Sequence, residues 1–74
     1  MTVGRNVRRL RAAKGMTQER LAFAADLDLT YIGGIERGRR NPSLLAMARI
    51  ADALDVPLVD LLADTDSASN GTVT

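Results

Sequence analysis

The chain has 74 residues with no Cys and no His, enough for one small domain with a modest core, and stapling by disulfides or by a Cys/His zinc site is excluded. Neither metal nor cofactor is expected, and helix packing with self-association is left to supply stability. The net charge of +1 hides an asymmetry: all ten bases fall within residues 1–49 beside Glu19, Asp26, Asp28 and Glu36, whereas residues 50–74 carry five carboxylates and no base.

Apolar residues recur at helical spacing along the chain. Val3, Val7 and Leu10 predict a first helix over about 3–14, ended by Gly15. Thr17 is a good N-cap for a second helix over 18–25, with Leu21, Ala22 and Ala25 facing inward. Asp26-Leu27-Asp28 is a short break, and Asp28 caps a third helix over 29–37 with Ile32 and Ile35 inward and Gly38 as its stop. Arg39-Arg40-Asn41-Pro42 reads as a loop. Ser43 then caps a fourth helix over 44–54, lined by Leu44, Met47, Ile50, Ala51 and Leu54. Pro57 suits the first turn of a short fifth helix ending near Leu62. From Ala63 the chain reads ADTDSASNGTVT, a polar stretch without periodicity that is expected to be a disordered tail over 63–74. The fold class is therefore all-α, a compact five-helix domain over residues 1–62.

The second and third helices, joined by three residues, form a helix-turn-helix candidate over 17–37. Thr17 and Gln18 stand where free backbone N–H groups and the positive end of the helix dipole favour phosphate. Leu29, Thr30, Gly33, Gly34 and Arg37 share one face of the third helix. That face is small and uncharged until Arg37, and fits a major groove. Each glycine costs a helix interior about 1 kcal/mol relative to Ala, so close approach of a partner or of another helix should compensate. Arg37, Arg39 and Arg40 flank this face with forks that suit phosphate or guanine, and Asn41 can bond a phosphate or cap the next helix. Glu36 would repel phosphate unless neutralised, and Arg11 is its expected partner. Two aromatics, Phe23 and Tyr31, are too few for single-strand stacking. A basic portion of this kind suits a double-stranded polyanion.

Two stretches, GMTQERLA (15–22) and LDLTYIGGIERGRRNPSL (27–44), are followed by IADALDVPLVDLL (50–62). Together they resemble the Xre/Cro/C1-type helix-turn-helix regulators. The run from Thr30 to Leu44 is similar to restriction–modification controller proteins in particular. The resemblance implies a lambda-repressor-like domain that binds double-stranded DNA as a homodimer on an inverted-repeat operator. Thr17 and Gln18 match positions that hold the phosphate backbone. Leu29, Thr30, Tyr31, Gly33 and Gly34 match the recognition helix, Arg40 and Asn41 match the controller loop that contacts DNA, and Arg11 and Glu36 match a buried ion pair. Two departures stand out. Leu29 replaces a residue that is often basic in controllers, and Gly33 and Gly34 have no side chain to bond a base edge.

One half-site module binds weakly, and two-fold pairing doubles its contacts. Val56, Val59 and Leu62 are the expected dimer surface, with closure of the monomer core as the other use for them. Contact with RNA polymerase is left open. An antitoxin that represses its own operon and a helical protein-interaction module without DNA binding are the alternative functions. No nucleophile, base or carboxylate pair stands in a catalytic setting, so an enzyme is not expected. No segment reaches the roughly 18 apolar residues of a membrane span, and Arg5, Arg8, Arg9 and Arg11 interrupt any signal-like core. A cytoplasmic protein without a membrane partner is expected.

Overall fold

The computed structural model describes residues 2–64. Most of the polar stretch expected to be a tail lies outside the described residues. Five helices follow in order: α1 (Thr2–Ala13), α2 (Gln18–Ala25), α3 (Leu29–Glu36), α4 (Leu44–Leu54) and α5 (Val59–Leu62). No strand occurs among the described residues.

Starts and stops have local causes. Thr17 Oγ1 accepts from the Arg20 N–H, Asp28 from the Thr30 N–H, and Ser43 from the Ala46 N–H, so each of α2, α3 and α4 begins at a side-chain cap. The first four helices end alike. Gly15, Asp26, Gly38 and Asp55 take left-handed φ values of 68°, 56°, 76° and 57°. The next residue's N–H then reaches back to a last-turn carbonyl: Met16 to Arg11, Leu27 to Ala22, Arg39 to Gly34 and Val56 to Ala51, at 2.8–3.0 Å. Met16, Leu27 and Val56 tuck their side chains against the core after this closure. Arg39 is exposed instead, so the chain after α3 leaves the core and runs in solvent.

Val7, Leu21, Ile32, Ile35, Ile50, Leu54 and Leu61 form the fully buried centre. Helix α2 packs on α3 and α4, while α1 packs on α3 and α5. Gly4 makes the α1–α3 approach possible, because a Cβ there would collide with the Ile35 carbonyl oxygen. In α4 the inward face differs from the expected one. Leu44 is exposed and Ala46 is buried, since Leu44 occupies the opening turn, outside the packed stripe.

The core also holds one polar side chain that apolar periodicity does not mark. Asn6 is buried and donates Nδ2 to the carbonyls of Leu61, at 3.0 Å, and Ala63, at 2.6 Å. Arg9 donates to its Oδ1 at 3.3 Å. Asn6 thus ties α1 to the last carbonyls of α5, a helix too short to hold itself.

Candidate nucleic-acid interface

The site grows from the corner between α2 and α3. Asp26 closes α2, Leu27 anchors the turn in the core and Asp28 starts α3, so three residues set the angle between the helices. Ile32 and Ile35 face inward. Leu29 and Thr30 are exposed on the outer side of α3, and Tyr31 is half-buried.

Glu36 binds three elements together. Its carboxylate accepts from Arg11 Nε at 2.7 Å and Arg11 Nη2 at 3.1 Å, a forked pair, and from Gln18 Nε2 at 3.0 Å. Arg11 Nη1 also donates to the Met16 carbonyl at 2.7 Å. The Glu36 side chain is 3% exposed. Its hydrogen bond raises the pKa of Arg11 above the ordinary arginine value, with burial opposing. The sequence reading does not assign the Gln18 bond. Gln18 was expected at phosphate, and in the free protein its amide instead aligns the start of α2 with the end of α3. No spacing rule links positions 18 and 36, because the contact is tertiary. With Glu36 neutralised, Arg37, Arg39 and Arg40 stand exposed beside it.

The glycine pair is covered in a way the sequence reading does not anticipate. Gly33 and Gly34 are buried, and the chain's own arginines do the covering. A Cβ on Gly33 would stand 3.2 Å from Arg37 Nη1, and one on Gly34 would stand 2.6 Å from Arg40 Cγ. The Gly34 carbonyl accepts from the N–H groups of Arg39 and Arg40, at 2.8 and 3.2 Å, which folds the loop back over the helix. The Arg40 guanidinium lies 5.5 Å from the centre of the Tyr31 ring. Tyr31 in turn accepts from the Ser43 N–H at 3.2 Å through its hydroxyl. The outer face of α3 is therefore cationic along its middle, where the sequence predicts a small strip uncharged until Arg37. Tyr31 braces the loop to α4, and Asn41 is exposed on that loop.

Among the expected dimer residues, Val59 is 63% and Leu62 is 51% exposed, whereas Val56 packs at the margin of the core. No group of three or more potential metal ligands gathers among the described residues. No helix of the described chain is long and apolar enough to cross a membrane.

A short corner of two capped helices, a neutralised carboxylate and a cationic outer face define a helix-turn-helix regulator. The family model described as Helix-turn-helix matches residues 7–61, and the chain belongs to that family. It is 52% identical over 60 residues to the control protein C.BamHI of Bacillus amyloliquefaciens, covering 80% of this chain and 74% of that one. It is 41% identical over 70 residues to the uncharacterized HTH-type transcriptional regulator y4dJ of Sinorhizobium fredii, covering 95% and 91%. The solved restriction-modification controller protein C.AhdI from Aeromonas hydrophila superposes with a TM-score of 0.79 at 48% identity, covering 81% of this chain and 91% of that one. The lambda-repressor-like class that the resemblance implies is thus the class of its solved neighbours.

Proposed function

We propose that this chain regulates transcription by binding double-stranded DNA as a homodimer on an inverted repeat, as a controller of a restriction–modification locus. One observation carries the reading. The Glu36 carboxylate holds Arg11 and Gln18 at once, so the amide-rich start of α2 and the exposed row of α3 form one rigid unit. In this reading Thr17 and Gln18 grip phosphate at the start of α2, with one Gln18 amide hydrogen already given to Glu36. Leu29 meets a thymine methyl and Thr30 bonds a base edge. Tyr31 carries the loop by its ring, and Arg39, Arg40 and Asn41 hold phosphates beyond the groove. Arg37 stands among these cations. Gly33 and Gly34 contribute the absence of side chains, which lets cations lie close to the helix.

Pairing uses α5. Val59 and Leu62 are exposed apolar residues, and Val56 would lie at their edge. Likeness to the controller proteins supports the locus assignment, and it rests on what those proteins are named for.

The test is selection of bound duplexes from a random library by the full chain, followed by a salt titration. The reading expects a two-fold symmetric consensus and binding that weakens steeply with salt, because Lys and Arg displace counterions from phosphate. Equal binding to all duplexes would leave the fold standing and remove the regulator.

A further inference from the structure

We infer that Arg37 is the main base-reading side chain of the recognition helix, taking a guanine edge, and that Gly33 is the positioning residue that makes this possible. The inference rests on the duplex-binding reading above.

Leu29, Gly33 and Arg37 follow one another at four-residue steps, so they form one row along α3. Helical side chains lean toward the N-terminus and cover the turn before their own Cα. Arg37 does this over Gly33. Its Nη1, Nη2 and Cζ lie 3.2, 3.5 and 3.7 Å from where a Gly33 Cβ would stand. The guanidinium therefore rests over the middle of the outer row, one turn inward from its own backbone. A cation at the helix end would meet phosphate, whereas a cation over the row meets base edges once α3 enters a groove.

The other outward residues of α3 offer little competition. Leu29 has no donor, Thr30 has one hydroxyl and the glycines have no side chain. The Tyr31 hydroxyl accepts from the Ser43 N–H, which ties it to the loop side and leaves it a single donor. Arg37 brings five N–H donors in a planar fork, which matches the two acceptors on guanine, O6 and N7. Arg40 does not share this role. Its methylenes lie against Gly34 and its head sits over the Tyr31 ring, away from the row that Arg37 covers.

Gly33 sets the geometry. A methyl group there would press on Nη1 at 3.2 Å, so the fork would have to give by a few tenths of an ångström from its place over the row. The missing side chain at 33 and the long one at 37 act as one reader.

The experiment compares the full wild-type chain with Arg37→Lys, Arg37→Ala and Gly33→Ala. Each is measured on the selected duplex, on that duplex with each base pair changed singly, and on a scrambled duplex, over a salt series. Lysine keeps the charge and loses the fork. The inference expects Arg37→Lys to lose roughly ten-fold or more of discrimination at one G·C pair per half-site. The salt slope should stay as in wild type, and binding to the scrambled duplex should fall less than binding to the selected duplex. Gly33→Ala should blunt preference at that same pair, and Arg37→Ala should abolish it. Uniform weakening on all duplexes, or a Gly33→Ala chain with intact preference, overturns the inference while duplex regulation stands. A wild-type chain that binds no duplex, or all duplexes equally, overturns both.

Discussion

Asn6 lies in the apolar stripe of α1, yet its amide supplies two hydrogen bonds to the end of α5. Asn6→Ala removes those donors and leaves carbonyl oxygens without partners. The expected loss is about 1–3 kcal/mol, read as a lower urea midpoint at unchanged slope. Asn6→Asp should be worse at neutral pH, where a carboxylate would face two carbonyl oxygens, and should improve as pH falls and the acid becomes a donor. The Arg11–Glu36 pair operates at the same scale. Arg11→Ala leaves a buried carboxylate held by Gln18 alone and should cost about 3–5 kcal/mol. A double-mutant cycle should return a coupling of about 1–3 kcal/mol, and a coupling of zero would remove the pair from the account. The raised pKa of Arg11 fixes the sign of its pH dependence. A cation whose folded value is raised stabilises fully below its unfolded value and loses that stability only as pH rises through the folded one. The guanidinium thus adds no slope to stability across the neutral range.

The helices repeat one stop signal with two chemistries. Gly15 and Gly38 take the left-handed position without steric cost, while Asp26 and Asp55 take it with a Cβ and with a carboxylate near the negative helix end. Asp55→Gly should therefore stabilise by about 0.5–1 kcal/mol, and Gly38→Ala should destabilise by a similar amount, both read by thermal unfolding. Element boundaries were legible because their causes are local. Thr17, Asp28 and Ser43 are caps, and each glycine stop is a residue type with one common use. Asp26 and Asp55 do not announce themselves as stops, although the breaks around them were readable from the loss of apolar periodicity. What stayed hidden was tertiary. Gly4 looks like a poor helix former until α3 lies against it, and Leu44 reads as core until the opening turn of α4 is seen to face solvent. The glycine pair was recognised as needing compensation. Its source is Arg37 leaning back along α3 and Arg40 on the loop folded over it, and the loop is held by hydrogen bonds to the Gly34 carbonyl that no periodicity encodes.

For the whole molecule, the proposed function needs the α2–α3 corner presented to a duplex in duplicate. The exposed Val59 and Leu62 offer the apolar surface for that, and their removal should not unfold the monomer. Leu62→Glu is expected to shift sedimentation from dimer to monomer at micromolar concentration, with thermal stability of the monomer retained. Binding to a full inverted repeat should fall to the level of a single half-site, because two-fold pairing supplies half the contacts. A Leu62→Glu chain that remains dimeric would move the interface elsewhere, with exposed Leu44 and Leu45 as the next surface to test.

In the proposed function the α2–α3 corner and the loop after it meet the duplex. Its most direct test is amide chemical-shift mapping of the full chain titrated with the selected duplex. The largest changes are expected at Thr17 and Gln18, at Leu29 to Tyr31, and from Gly33 through Asn41, with small changes around Phe23 and α5. Changes confined to α5 or to the exposed Phe23 side of α2, with Leu29 to Asn41 unmoved, would contradict it.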